Sequence, residues 1–472
     1  MYNTISNLVN TINDFLYSYL LIIILIIGGL IFTVLTRFAP FRLFLEQIKS
    51  VMEKPKDNNS VSSFQALMVS TASRVGTGNI IGVSTALCLG GFGSVFWMWI
   101  IAIIGSASAF IESTLAQIYK KRGPLSSYGG PAYYIETALK NRPLAVVFSI
   151  LLILTYGFGF NMLASFNLQS TFSSYGFYDE KTTPLIIGFI VAFFVGLCLI
   201  GKGNGIVKTT SFLVPIMGLA YIIVSLLIIA LNITSLPSIF SSIFSEAFNF
   251  EAIFGGFSGS CVMYGIKRGL FSNEAGVGSA PNASASADVS HPVKQGLVQI
   301  LSVFIDTIVI CSATAFMCMC SGVTPSAEIS GAKYVQLSLG KTLGDFGPMF
   351  ITVAMILFAF TTLLGNLFYV EKCISFLCKK TPSKMIMTIC NLIACIVIFV
   401  GAGLNSELLW GIADILMGAM TLINMPVILI LSKYAIRALK DYEKQRKLGK
   451  DPVFYADDIN LPTKVDYWQK EE

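Results

Sequence analysis

Charged residues are scarce in this chain, and so are the residues that build most metal and redox sites. Only 12% of the 472 residues are charged and 54% are hydrophobic, whereas soluble domains have about 25% charged residues. The single histidine, His291, cannot supply two haem ligands, and most of the ten cysteines lie inside apolar windows, where they act as small packing residues. We therefore predict a membrane protein without a metal or redox cofactor.

Long apolar windows, in contrast, recur along almost the whole chain. A bilayer core of about 30 Å is crossed by roughly 20 apolar residues. We count eleven windows of that kind, at residues 16–36, 64–90, 93–118, 144–170, 184–201, 209–231, 252–281, 293–320, 346–376, 385–403 and 406–432. No Lys or Arg precedes the first window, so we predict a retained helix and not a cleaved signal peptide.

The basic residues indicate which ends of the helices face the cytoplasm. They cluster after the first and third windows, at Arg37, Arg42, Lys49, Lys54, Lys56, Lys120, Lys121, Arg122, Lys140 and Arg142. Because Lys and Arg are enriched in cytoplasmic loops, we predict an outside N-terminus, a cytoplasmic C-terminus and a location in the cell (inner) membrane. The same bias accounts for the net charge of +6 without a nucleic-acid partner.

Ten windows follow the first, and they divide into two sets of five. We predict an extra N-terminal helix and a basic loop in 1–63, a first repeat in 64–231, a second repeat in 232–433 and a cytoplasmic tail in 434–472. An odd number of helices per repeat gives the two repeats opposite orientations. The predicted fold is an all-α polytopic membrane protein with about eleven transmembrane helices in a five-plus-five inverted repeat.

Each predicted repeat opens with an apolar helix that polar, Gly-rich sequence interrupts, over residues 70–82 in the first and 265–281 in the second. Unwound backbone at membrane depth is tolerated where protein buries it or where it lines a polar cavity, and paired interruptions point to a transport site. A face of small residues for helix packing is the alternative. Such a face, however, does not need Arg74 and Asn79 beside Gly76 and Gly78.

The second interruption also contains Lys267, Arg268 and Glu274. A charge in a membrane helix costs roughly 2.5 to 3.5 kcal/mol on insertion scales unless it is paired or faces water. We expect these three residues to neutralise one another or to line the pathway, and we place Arg74 with them as an ion pair or gate. The alternative for Glu274 is an ion pair that only holds the broken helix in place.

Four motifs follow one another along the chain: GTGNIIGV (76–83) with GGFGSVFWMW (90–99), GGPAYY (129–134), RGLFSNEAGVGSAP (268–281) with HPVKQG (291–296), and FTTLLG (360–365) with Tyr369 and Glu371. Together they resemble the alanine or glycine:cation symporter family of bacteria and archaea over nearly the whole chain. The resemblance implies the fold of the neurotransmitter:sodium symporters with one extra N-terminal helix. It also implies import of a small neutral amino acid on a sodium or proton gradient.

The resemblance further implies the residues of the site. The substrate carboxylate is expected at a helix N-terminus, at Gly76, Thr77, Gly78 and Asn79. The substrate ammonium is expected at oxygens of Phe271, Ser272 and Asn273, with Gln169 as a further candidate. The sodium ion is expected at the carbonyls of Ala72, Val75 and Phe358 and the hydroxyls of Thr361 and Thr362. The alternatives are that Gln169 only reaches interfacial water and that the two threonines bond their own helix.

Asn366 departs from the family pattern, since many members have Trp after the glycine of the last motif. A smaller, polar residue at this position predicts a wider pocket that could accept glutamine, so we include Asn366 among the substrate-binding residues. Two rival functions stay open. A channel also uses interrupted helices, although the sequence has no four-fold filter, and an intramembrane enzyme would use Glu274 with Asp306 or Asp414, although no nucleophile lies beside a base. We predict a transporter and not an enzyme.

Overall fold

A computed structural model describes residues 2–55, 60–123, 126–200, 205–249, 253, 256, 260–379 and 381–469. Its secondary structure in these ranges is helical apart from the isolated bridges Val61–Ala287 and Lys121–Tyr128. The predicted cytoplasmic residue Lys56 and the first part of the window 252–281 lie outside the described residues.

Within the described ranges, twelve helices build the apolar part of the protein. They are α1 (Ser6–Leu35), α2 (Ser63–Arg74), α3 (Gly78–Gly90), α4 (Gly93–Ile118), α5 (Arg142–Ser174), α6 (Thr183–Ile200), α7 (Gly205–Leu231), α8 (Cys261–Asn273), α9 (Pro292–Cys320), α10 (Phe346–Leu377), α11 (Lys384–Gly401) and α12 (Ser406–Lys447). Shorter helices lie between them at Ala39–Arg42, Phe44–Val51, Pro131–Leu139, Leu236–Ala247, Pro281–Ser284 and Ala332–Leu343.

Nine helices of the described ranges are long and apolar enough to cross a membrane. The pair α2 and α3, and α8 with the loop after it, are the two interrupted windows, so all eleven predicted windows contain helix. The last helix continues to Lys447, beyond the predicted end at residue 432, because the polar stretch that follows consists mostly of strong helix formers.

The first interruption lies between α2 and α3. A capping box between Ser62 and Gln65 starts α2, and Val75, with ψ 88°, leaves the helical conformation directly after Arg74. Helix α10 packs closely against this unwound stretch, since a Cβ on Gly365 would lie 2.7 Å from the backbone nitrogen of Ser73.

The second interruption begins later than predicted. Residues 265–273 are helical, and their glycines serve close packing: a Cβ on Gly265 would lie 2.5 Å from the carbonyl oxygen of Ser94 in α4. The helix ends where Glu274 adopts φ +52°, and Gly276 and Gly278 continue with φ of +84° and +91°. Glycine adopts these left-handed conformations without strain, so the chain turns away from the helix axis here.

The C-terminal residues after α12 fold back onto one end of the protein. The indole of Trp468 donates to the carbonyl of Gln117 at 2.9 Å, and Lys121 pairs with Asp466 at 2.9 Å. We call this end the tail side. The opposite end, where α1, α8 and α12 begin, is the far side.

Candidate functional site

The two interruptions meet around one cavity inside the protein. Its volume is about 20 Å³, far below the roughly 300 to 1,000 Å³ of ligand pockets, so the cavity must widen before it can hold an amino acid. The lining residues are Ser73, Arg74, Gly76, Thr77, Gly78, Phe160, Leu163, Ala164, Phe271, Glu274 and Thr362. Both interruptions therefore contribute to the same wall, as their pairing in the sequence predicts.

Three aromatic rings stack beside this cavity. The ring centroid of Phe271 is 4.7 Å from that of Phe160 and 4.8 Å from that of Trp410. The guanidinium of Arg268 lies over the Trp410 ring at 4.1 Å. Phe160 and Phe271 themselves line the cavity, and Trp410 belongs to the first part of α12, near the far side.

The two cations of the second interruption pair with Asp414 of α12. Lys267 Nζ lies 3.0 Å and Arg268 Nη2 lies 3.4 Å from its Oδ2. The expectation that these cations and Glu274 neutralise one another is therefore corrected. Residues 267 and 268 still belong to helix α8 and face α12, whereas Glu274 lies beyond the end of the helix. We call Lys267, Arg268 and Asp414 the ion cluster.

Asn79 lies behind the cavity and joins the two interruptions. Its Oδ1 accepts the N–H of Gly76 at 2.8 Å, and its Nδ2 donates to Ser272 Oγ at 3.0 Å and to Asp306 Oδ1 at 2.7 Å. Ser272 Oγ in turn donates to Asp306 Oδ2 at 2.6 Å. Sequence reasoning considers Asp306 only as a catalytic acid, although a lone carboxylate inside an apolar window is itself a signal of function.

The predicted sodium ligands are only partly brought together. Thr362 Oγ1 donates to the carbonyl of Ala72 at 3.1 Å, which joins α10 to the end of α2. Thr361 Oγ1 instead donates to the carbonyls of Leu357 and Phe358, at 2.9 and 3.2 Å. Thr361 thus bonds its own helix, the alternative that the sequence leaves open, and Thr362 faces the interruption.

Arg74 and Glu274 line the cavity from inside the protein. Arg74 is 2% and Glu274 is 1% exposed. Arg74 Nη1 donates to Gln299 at 2.8 Å, while its Nε and Nη2 have no hydrogen-bond partner among the described residues. Glu274 accepts from Ser279 Oγ at 2.6 Å. A buried cation and a buried carboxylate therefore give the cavity a polar wall.

Asn366 lies behind the cavity and holds neighbouring helices together. It is fully buried, its Nδ2 donates to Asn161 Oδ1 at 3.0 Å, and its Oδ1 accepts from Ser73 Oγ at 2.7 Å. These two bonds join α10 to α5 and α2, and they leave no basis in this geometry for the predicted wider pocket.

Gln169 and Asn273 are also engaged away from the cavity lining. Gln169 Oε1 accepts from the hydroxyl of Tyr178 at 2.9 Å, and Asn273 Oδ1 accepts the N–H of Ala275 at 3.0 Å. Asn273 thus stabilises the turn after α8, and Gln169 bonds the loop at the far side.

Solved structures share this arrangement of helices. MhsT in complex with L-phenylalanine gives a TM-score of 0.58 at 15% identity, over 81% of this chain and 92% of that chain. An Eremococcus coleocola manganese transporter mutant gives 0.53 at 14% identity, over 85% and 84%. This chain therefore has the polytopic helical fold of these structures, and the predicted fold is confirmed.

The sequence comparisons define the family. The model of the sodium:alanine symporter family matches residues 2–456. Amino-acid carrier protein AlsT of Bacillus subtilis is 42% identical over 99% of this chain and 98% of its own length, and the sodium/alanine symporter AgcS of Methanococcus maripaludis is 35% identical over 93% and 98%. The probable sodium/glutamine symporter GlnT of Bacillus subtilis is 41% identical over 99% and 97%. This chain belongs to the sodium:alanine symporter family, and the resemblance is confirmed.

Proposed function

We propose that this chain imports a small neutral amino acid together with sodium by alternating access. The observation that carries the proposal is the single cavity at which the start of α3 and the end of α8 face each other. A helix start has unused N–H groups and a helix end has unused carbonyls. Once widened, this cavity can thus bind both charged groups of an amino acid, and membership of the family supports this choice of substrate and ion.

The substrate carboxylate binds the backbone N–H groups of Thr77 and Gly78. The N–H of Gly76 is held by the side-chain oxygen of Asn79 at 2.8 Å. Asn79 then acts by holding the interruption open toward the substrate, with its amide fixed by Asp306 at 2.7 Å.

The substrate ammonium binds at the end of α8. The last helical residues, Phe271, Ser272 and Asn273, have carbonyls near a helix C-terminus, which carries partial negative charge. The carboxylate of Glu274 at the same cavity adds to that negative potential.

Sodium binds between the end of α2 and α10, at the carbonyls of Ala72, Val75 and Phe358 and the hydroxyl of Thr362. Thr361 joins the set only if its hydroxyl leaves the carbonyl of Leu357, which it contacts at 2.9 Å. Hard cations take oxygen ligands of this kind. Because the ion would tie the unwound stretch to α10, sodium binding would order the amino-acid site.

The lining of the cavity suits alanine or glycine better than glutamine. Its apolar part consists of Phe160, Leu163 and Ala164, which offer no partner for a side-chain amide. Asn366 is already bonded to Asn161 and Ser73. The likeness to GlnT keeps glutamine as the second candidate substrate.

The protein lies in the cell membrane with its tail side in the cytoplasm. That side has described basic residues such as Arg42, Lys121 and Arg122, as the positive-inside rule requires. The aromatic stack and the ion cluster then close the cavity toward the outside, and no catalytic residue is part of the proposal.

Titration calorimetry of the purified protein with alanine, in sodium chloride or choline chloride, tests whether alanine and sodium bind together. We expect alanine binding only with sodium. Gly78→Ala should abolish it, because the new Cβ would lie 2.8 Å from the Phe271 ring. Gly176→Ala is the matched control, since nothing lies within 4 Å of its Cβ position. Alanine binding that is equal in choline, or retained in Gly78→Ala, contradicts the proposal, and non-saturating alanine flux through liposomes would indicate a channel.

A further inference from the structure

Helix α1 belongs to neither repeat, yet it packs in parallel along α12, the helix that bears Asp414. Contacts recur about once per turn, joining Asn10 to Glu407, Asn13 to Gly411, Tyr17 to Asp414 and Leu21 to Gly418. At Gly418 a Cβ would lie 2.9 Å from the Leu21 side chain. Small residues at such a contact let two membrane helices pack closely, so α1 and α12 are expected to move together.

Tyr17 connects α1 directly with the ion cluster. Its side chain is 1% exposed, and its hydroxyl donates to the backbone carbonyl of Asp414 at 3.0 Å. The ammonium of Lys267 lies over its ring at 4.9 Å. Tyr17 is also part of a π-helical segment, Leu16–Leu20, and such segments are frequent at functional sites.

Aromatic rings complete the surroundings of the ion cluster. Both cations pair with Asp414, and the carboxylate of Asp14 on α1 attracts Lys267 from beyond ion-pair distance. The Trp410 ring stabilises Arg268 at 4.1 Å, and the Tyr17 ring stabilises Lys267 at 4.9 Å. Attraction between a cation and an aromatic ring is strongest where both are removed from water.

We propose that Tyr17 is a positioning residue of the far-side gate, which makes α1 a working part of the transport cycle. Its ring holds Lys267 and its hydroxyl holds the Asp414 backbone, so the ion cluster stays assembled while the cavity is closed. The inference rests on the proposed function, because it assigns the ion cluster to the gate of that transporter.

Reaction of a cysteine in the cavity with a membrane-impermeant thiol reagent, added from the far side, tests this role. Ala164→Cys places the probe at the cavity wall, and the parent protein gives the background from the native cysteines. Tyr17→Leu should raise the labelling rate by roughly five- to thirtyfold, the effect of losing a desolvated cation–ring contact. Tyr17→Phe keeps the ring and should stay within about threefold. Tyr19→Leu is the matched control, because Tyr19 lies in the same segment and is 65% exposed.

The same Tyr17 substitution in a protein that carries Lys267→Gln shows whether Tyr17 acts through Lys267 or only by filling space. With Lys267→Gln the ring has no cation to hold, so Tyr17→Leu loses only the hydroxyl bond and should change the labelling rate no more than Tyr17→Phe does, within about threefold. The same increase in both backgrounds, or no increase in either, overturns the proposal. Tyr17→Met gives the same readout if Tyr17→Leu does not fold. The labelling needs no sodium gradient, so failure of sodium-driven uptake in the parent would remove the proposed function while leaving the contact between α1 and the ion cluster measurable.

Discussion

Replacing Thr362 by valine tests the ion site with almost no change of shape. Both side chains branch at Cβ, so the substitution removes only the hydroxyl that reaches the Ala72 carbonyl at 3.1 Å. A polar partner of a charged group contributes about 1.5 to 3 kcal/mol, which corresponds to roughly ten- to 150-fold in affinity. We expect the sodium concentration for half-maximal alanine uptake to rise by a factor in that range.

Thr361→Val is the matched control, because the two threonines are adjacent in α10. The Thr361 hydroxyl is bonded to the carbonyls of Leu357 and Phe358 within its own helix. Its loss should shift the sodium dependence by less than about threefold. Sodium titrations of alanine uptake into proteoliposomes, at saturating alanine, measure both variants. Equal shifts of the sodium dependence in the two variants, or a larger shift in Thr361→Val, would refute the assignment of Thr362 as the sodium ligand.

Three further predictions follow from the same geometry. Asn79→Ala should abolish sodium-dependent alanine binding, because the two interruptions lose the amide that joins them at Gly76, Ser272 and Asp306; near-normal affinity in calorimetry contradicts this. Gly365→Ala should lower the melting temperature by several degrees, since its Cβ would meet the Ser73 backbone at 2.7 Å and overpacking costs about 1 to 3 kcal/mol; an unchanged melting temperature would show that α10 can shift. Burial lowers the pKa of His291, so below about pH 6.5 the unfolded chain binds a proton that the folded protein does not. The melting temperature should therefore fall as the pH falls from 7 toward 5. His291→Asn should make the melting temperature depend less on pH.

The local features of the site can be predicted from the sequence because backbone freedom and charge are visible there. Gly76 and Gly78 beside Asn79 indicate an unwound helix, and in the structure helix α2 ends directly after Arg74. The apolar windows likewise predict the helices, because lipid demands about 20 apolar residues per span.

The partners of these residues could not be predicted, because tertiary packing alone brings them together. Asp306 is 227 residues from Asn79, and Asp414 is 146 residues from Arg268. No local pattern indicates which buried carboxylate meets which cation. The second interruption starts later than the sequence predicts for a related reason. Gly265 stays in the helix because it packs against α4, and no local pattern indicates that packing.

The most direct test of coupled transport is uphill accumulation of labelled alanine in sealed proteoliposomes. An inward sodium gradient with an inside-negative potential of about 100 mV supplies about 2.3 kcal/mol per charge. One sodium ion per alanine should then concentrate alanine about fiftyfold from the potential alone. We predict that accumulation occurs with sodium and collapses when choline replaces it or an ionophore dissipates the gradient. Accumulation that persists in choline, or alanine that only equilibrates across the membrane in sodium, would contradict the account.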